Sequence, residues 1–295
     1  MATVSRGNTS ERYRFIERNR HAFGINYLCS WLQVSRSGYY DWRNRAVSAR
    51  SIEDEKLTQK IVAIHRGSRG IYGSPRVHES LKADGFAVGK KRVERLMQAQ
   101  GLQGRVTGVV RRQPGLKRFV ASGENLRLTL PAAQAINEIW VADVTYLKVN
   151  ADWFYLAVVM DIYSRRILGW SLSKTRTTAL SLAALRYAVK GREYNHELIF
   201  HTDRGVEYTA YKYKKALIKL GMRPSLNRAG HCTDNGHMES FFHSLKAELI
   251  RGRNFKSAKE LRYALNSYIN QFYNHKRLHS AIGYLPPAVY EQRAA

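Results

Sequence analysis

Between Trp140 and Leu172 the sequence reads as three consecutive β-strands, and a carboxylate stands inside the first of them. Trp140–Val149 is rich in β-branched and aromatic residues, Asn150-Ala151-Asp152 supplies a turn, Trp153–Met160 is nearly all apolar, and Arg166–Leu172 resumes the pattern. An apolar run without alternation is buried on both faces, so Trp153–Met160 is expected near the centre of its sheet. Short connections make the three strands antiparallel. Asp143 falls where such a strand would carry an apolar side chain. A carboxylate there costs stability unless it is paired or holds a cation.

The segments that follow alternate. Thr177–Lys190 is an Ala- and Leu-rich helix, Leu198–His201 a short strand, Tyr208–Leu220 an amphipathic helix ended by Gly221, and a further helix starts near His237 and runs to Arg251. With one more strand expected between the last two helices, the order predicts an α/β domain of the RNase H-like type over residues 132–255. Residues 256–295 form a C-terminal helical extension, with a helix over 257–273 followed by the polar stretch Asn274–Ser280.

The N-terminal third is of a different kind. Residues 1–50 hold a small helical segment in which Tyr27–Trp42 reads as helix, turn, helix, with Ser35 as the cap of the second helix and Arg36 dressing it. Residues 51–105 hold a clearer trio. Leu57, Ile61 and Ile64 recur at helical spacing, Ser74-Pro75 opens a second helix, and a third runs from Lys90 to Gln100 and stops at Gly101. The third helix buries Val93, Leu96 and Met97 and presents Lys90, Lys91, Arg92 and Arg95, the pattern of a helix-turn-helix DNA-binding module. Residues 106–131 form a basic linker with scattered glycines.

Charge separates the regions. The chain of 295 residues carries 49 Lys and Arg against 23 Asp and Glu, a formal net charge of +26, which points to a polyanionic partner. The cationic excess sits in the first 131 residues and after residue 250, while the acids concentrate between them, where a metal site needs oxygen donors. Two cysteines, Cys29 and Cys232, exclude a Cys-rich zinc site and a disulfide framework. The longest apolar run is too short to span a bilayer, and the first residues are too rich in arginine for a secretory leader. A soluble, cytoplasmic protein, nucleoid-associated when bound to DNA, is the expectation.

Three acids stand at telling places. Asp143 lies mid-strand, Asp203 follows the short strand Leu198–His201 and precedes a Gly turn, and Glu239 lies in the first turn of a helix that Asp234 or Asn235 can cap. Oxygen ligands suit Mg2+ or Mn2+, and two such ions can activate a water or a 3′-hydroxyl at a phosphodiester. Asp143, Asp203 and Glu239 are therefore the candidate catalytic residues and metal ligands. Glu207 is a secondary ligand candidate; Asp161, at a strand end, reads as structural. His201, His237 and His243 read as packing or DNA contacts. At 100° per residue, Glu239, His243 and Lys246 share one helix face, and Met238, Phe241, Phe242, Leu245 and Leu249 fall on another. His243 and Lys246 are the expected DNA contacts beside the acids.

These motifs, in this order, resemble the OrfB-type D-D-E transposases of the IS-three family of bacterial insertion sequences, in the retroviral integrase superfamily. The similarity rests on Trp140-Val141-Ala142-Asp143-Val144-Thr145-Tyr146, on Val158–Trp170, on His201-Thr202-Asp203-Arg204-Gly205, on Asp234-Asn235 through Glu239-Ser240-Phe241-Phe242, and on Tyr273-Asn274, Arg277-Leu278-His279-Ser280 and Gly283-Tyr284. The chain departs at Val206-Glu207, where a Ser-Gln pair is common, and at Gly236-His237-Met238, where small apolar residues are usual. The resemblance implies an integrase catalytic core, divalent-metal-dependent 3′-end cleavage and strand transfer of DNA, recognition of terminal inverted repeats and target DNA, assembly as a homo-oligomer on DNA, and an upstream OrfA protein joined by frameshift fusion. A DNA-binding regulator with an inactive core and a plain RNase H-type nuclease are the rival readings. The complete acid triad opposes the first, and the basic arms oppose the second.

Overall fold

The structure, a computed structural model, describes residues 8–46, 48–105, 123–149, 152–229 and 231–294, with the side chains of 232 and 233 excluded. The expected turn at Asn150-Ala151 and most of the expected linker, residues 106–122, lie outside the described residues. The chain divides into two compact units, Met1–Gln59 and Lys60–Ala295.

The first unit is helical. Helix α1 (Thr9–Asn19) opens with a capping box in which the Asn8 side chain accepts from Glu11 N and the Glu11 carboxylate accepts from Asn8 N. Helices α2 (Ile25–Trp31) and α3 (Arg36–Asn44) form the expected hairpin, and the Ser35 hydroxyl accepts from Gly38 N at 2.8 Å, as its position predicts. Tyr13, Ile16, Leu28, Cys29, Leu32 and Tyr39 make the core of this unit. Helix α4 (Ala49–Gly67) runs across the division between the units and buries Leu57 and Ile61.

In the second unit, α5 (Ser74–Ala83) starts with Pro75 in its first turn, and α6 (Lys90–Ala99) buries Val93, Leu96 and Met97, as the periodicity predicts. A five-stranded sheet follows, built from β1 (Ile139–Val149), β2 (Asp152–Asp161), β3 (Ile167–Ser173), β4 (Ile199–Thr202) and β5 (Arg223–Leu226) in the order β3-β2-β1-β4-β5. The first three are antiparallel, and β4 and β5 run parallel to β1. The middle of the sheet is thus β1, with β2 beside it and paired on both edges. Helix α7 (Thr178–Val189) is capped by the Thr177 hydroxyl and lies against the sheet, where Trp140, Ala157, Leu180, Leu185 and Phe200 share one core. Its backbone at Ala184 and Ala188 passes so close to Gly169 on β3 that no Cβ fits there.

Several predicted elements are redrawn. The helix expected over Tyr208–Leu220 is two pieces, α8 (Val206–Thr209) and α9 (Tyr211–Lys219), because Ala210 turns extended and the Thr209 hydroxyl donates back to Gly205 O. Helix α10 (Gly236–Leu245) continues as a wide π-helical turn over Lys246–Ile250. Helix α11 (Ala258–Asn266) likewise continues as a π-helical stretch to Tyr273. Helix α12 (Pro287–Ala294) lies in the stretch expected as a C-terminal helical extension but is too short for an apolar stripe to mark it as a separate element. Arg277, from the polar stretch after α11, is buried in an ion pair with Glu248 at 2.6 Å, and Tyr268 Oη donates to the same carboxylate at 2.6 Å. This network pins the C-terminal segment to the end of α10.

Candidate active site

Strand register brings two of the three acids together. Ala142 on β1 pairs with Thr202, the last residue of the parallel strand β4, so Asp143, still inside β1, stands beside Asp203, the first residue past the carboxyl end of β4. Asp143 Oδ1 accepts from Val144 N at 2.7 Å, and Asp203 Oδ1 accepts from Gly205 N at 2.9 Å. Burial, and next the charge of Asp203, push the Asp143 carboxyl well above the usual carboxylate range. Two carboxylates so placed favour a cation between them.

Glu239 is half-buried in the first turn of α10. Helix α10 packs on β1, and the Asn235 amide at its N-terminus donates to Ala142 O at 3.1 Å, next to Asp143. Among the described residues, no group of three or more His, Cys, Asp or Glu side chains stands close enough together to hold one metal ion. The structure therefore joins Asp143 to Asp203 and leaves Glu239 on the adjoining helix.

The capping expectation at α10 needs correction. Neither Asp234 nor Asn235 caps the helix with its side chain. Asp234 instead forms a bidentate pair with Arg228, at 2.9 Å and 3.2 Å, and accepts from Asn125. Arg228 holds the Asp234 carboxyl down at about 2. Asn235 Oδ1 is buried with no hydrogen-bond partner among the described residues.

Beneath the acid pair lies a contact that the sequence did not reveal. Glu207 is fully buried, and Arg176, from the loop before α7, binds its Oε1 through Nε at 2.8 Å and Nη2 at 2.7 Å. The same Arg176 Nη2 stands 3.8 Å from Asp203 Oδ2. Glu207, weighed from sequence as a secondary ligand, is thus already held by a guanidinium, while its Oε2 has no hydrogen-bond partner among the described residues. An arginine at a loop–helix junction carries no local sequence signal of such a role.

Lys246, where the π-helical turn starts, lies within electrostatic reach of Asp143. Its ammonium stands 4.7 Å from the Tyr146 ring centroid. Burial pushes it below its ordinary value and Asp143 holds it up. His243 is exposed one turn after Glu239. His201 is a packing residue: its ring nitrogens meet Ser225 Oγ at 2.8 Å and Asn227 Oδ1 at 2.6 Å, and burial presses it down to about 4. His237 is half-buried and also pressed down to about 4, first by burial and then by Arg165. Asp161 is structural, as expected, accepting from Asn137 N and Tyr163 N and facing Arg192 at 3.5 Å. On α6, Lys90, Lys91 and Arg95 are exposed and Arg92 is half-buried; in the other unit, Arg36 is exposed at the start of α3.

Comparison with known proteins agrees with this arrangement. Residues 133–232 and 220–287 match two models described as integrase core domains, and residues 52–109 match an HTH-like domain. Transposase InsF for insertion sequence IS3A of Escherichia coli (strain K12) is 35% identical over 284 residues, which cover 96% of this chain and 99% of that protein. The insertion element IS600 uncharacterized 31 kDa protein of Shigella sonnei is 34% identical over 266 residues, covering 90% and 98%. Similar solved structures include the HTLV-2 integrase catalytic core domain in complex with magnesium (18% identity, TM-score 0.42, 54% of this chain and 99% of that one) and the catalytic core domain of BIV integrase (19%, 0.40, 53% and 95%). The family matches and the relatives define a transposase with an RNase H-like integrase core, a polynucleotidyl transferase, preceded by a helical HTH-like region. The chain belongs to the IS3 family of insertion-sequence transposases.

Proposed function

We propose that Asp143, Asp203 and Glu239 are the catalytic acids of this transposase. They would hold Mg2+ or Mn2+, in a two-ion arrangement, for 3′-end cleavage and strand transfer of DNA. The observation that carries the reading is the register of β1 and β4, which sets Asp143, inside β1, beside Asp203, just past the end of β4. The donor set fits a hard divalent cation: it offers oxygen only, and the charged form of Asp143 is disfavoured by burial and by its acidic neighbour. When bound, such ions supply an activated water or 3′-hydroxyl and neutralise charge on the departing oxygen.

The remaining residues act around that centre. Asn235 ties the start of α10 to β1, and so sets where Glu239 stands relative to Asp143. Arg176 holds Asp203 and Glu207 in one arrangement. Lys246, beside Asp143, holds a DNA phosphate at the reacting end. His243 on the same helix and Lys90, Lys91, Arg92 and Arg95 on α6, together with Arg36, contribute further DNA contacts. The substrates are the element's terminal inverted repeats and target DNA, gathered by a homo-oligomer on paired ends. An upstream OrfA protein, joined by frameshift fusion, sharpens end recognition, because each base contact is worth only about 1–3 kcal/mol of discrimination. The compartment is the cytoplasm, on nucleoid DNA when bound; no helix among the described residues is long and apolar enough to cross a membrane.

The test is an assay with labelled element ends, a target duplex and Mg2+, reading binding, end cleavage and joining separately. Joining is expected. Binding without cleavage identifies a regulator with an inactive core, and cleavage without joining a plain nuclease; either overturns the proposal.

A further inference from the structure

The second unit contains a basic cavity that the acid site does not use. It has a volume of about 120 Å3 and lies between the start of α5, the β2–β3 turn, α10 and the segment after α11. Arg76, Arg165, Arg277, His237, Ser240 and Ser244 line it, and no carboxylate does. That space equals roughly four waters at about 30 Å3 each, room for a tetrahedral anion.

Its charges are unevenly satisfied. Arg277 is paired with Glu248 and also donates to Ser244 Oγ at 3.2 Å. Among the described residues Arg76 donates only to the carbonyl of Leu278, at 3.0 Å, and it stacks over Tyr72. Arg165 has no hydrogen bond or ion pair among the described residues. Both arginines are half-buried, and desolvation pushes both guanidinium groups below their ordinary value. Two desolvated cations facing one cavity are unfavourable unless an anion joins them. Arg165 also adopts φ of 64°, a left-handed conformation costly for any residue with a side chain. The chain therefore keeps a long cation at a turn position where glycine is the less strained choice. Ser240 and Ser244 add hydroxyl donors from α10, and Ser240 directly follows Glu239.

We propose that this cavity is a phosphate-binding site for the DNA backbone, in which Arg165 and Arg76 clamp one phosphodiester next to the reacting strand. The site rests on the reading of this chain as a DNA strand transferase, since it supplies a second grip on the far side of α10 from Lys246. Guanidinium groups suit it because their planar donors match phosphate oxygens two at a time. A phosphate held there fixes the strand along α10, so the acids meet one phosphodiester and not its neighbours.

The experiment uses the full chain and two probes, a short labelled duplex and inorganic phosphate. The variants are Arg165→Gly, Arg165→Lys and, as a control of equal charge change at an exposed site on α9, Lys219→Gln. Glycine relieves the left-handed turn, so Arg165→Gly is expected to keep its Tm. Its duplex affinity is expected to fall about tenfold, the scale of one lost hydrogen-bonded charge contact, and its salt slope to shrink by about 0.9. Phosphate is expected to raise the Tm of the wild type and of Arg165→Lys, but not of Arg165→Gly. Equal losses in Lys219→Gln and Arg165→Gly mean general charge attraction and overturn the proposal. So does an Arg165→Gly protein with unchanged affinity and slope. A phosphate response without any effect on duplex binding assigns the cavity to a free anion and also overturns it. These outcomes leave the acid triad untouched, whereas failure of the wild type to bind duplex at all strikes the strand-transferase reading itself.

Discussion

Replacing Arg176 with methionine isolates the contact beneath the acid pair. The Glu207 side chain has 0% exposure and the Arg176 side chain 30%. The substitution leaves a buried carboxylate without a counter-charge, and its Oε2 already lacks a hydrogen bond among the described residues. Breaking a buried ion pair by removing one partner costs about 3–5 kcal/mol, and the partial exposure of Arg176 places the cost near 3 kcal/mol. In a unit of this size each kcal/mol moves Tm by about 2–4 °C, so the melting temperature should fall by roughly 6–12 °C. Adding Glu207→Gln removes the stranded charge, and the double variant should recover at least half of the loss. Thermal denaturation followed by circular dichroism, closed as a double-mutant cycle, measures both quantities. An Arg176→Met protein within about 0.5 kcal/mol of wild type, or strictly additive effects, would refute the claim that Arg176 neutralises Glu207 beside Asp203.

Other outcomes follow from the same geometry. Glu248→Gln leaves buried Arg277 without its carboxylate and should destabilise the second unit by about 3–5 kcal/mol in thermal melts. His201 has a folded value of about 4 against about 6.5 unfolded, so the unfolded chain takes up the proton first. Its contribution to stability is complete above pH ~6.5 and is lost as pH falls toward 4, by roughly 3 kcal/mol. His201→Gln should flatten that part of a Tm-against-pH curve; an unchanged curve would exclude His201 as its source. Lys246→Ala should slow strand transfer and shrink the salt slope of DNA binding by about one unit, and an unchanged slope would place Lys246 away from the phosphates.

Much of the core could be read in advance because its signals are local. The β-branched run at β1, the apolar run at β2 and the cap at Ser35 each depend on neighbours in sequence. Asp143 stood out because a carboxylate inside a strand needs a reason. What escaped depends on pairs distant in sequence. Arg176 meets Glu207 across 31 positions, and Arg277 meets Glu248 across 29. Arg76 and Arg165 converge only once the fold has formed. The π-helical turns after Leu245 and Asn266 leave the apolar spacing intact, so a periodicity of 3.6 reads straight through them. Asp234 looked like a helix cap because it precedes α10, yet the nearby Arg228 offers a stronger, charge-assisted partner.

The account's central claim is that three acids act as one centre. Its most direct test is strand transfer by purified Asp143→Asn, Asp203→Asn and Glu239→Gln chains on labelled element ends, with Mg2+ or Mn2+ and duplex affinity measured in parallel. Each single variant should lose joining and end cleavage, keep duplex binding close to wild type, and be hardly improved upon as an inactivating change by the triple variant, since groups that act as a unit are not additive. Wild-type joining by any one of the three would contradict the role given to that residue, and wild-type joining by Glu239→Gln would reduce the centre to the two carboxylates that β1 and β4 set side by side.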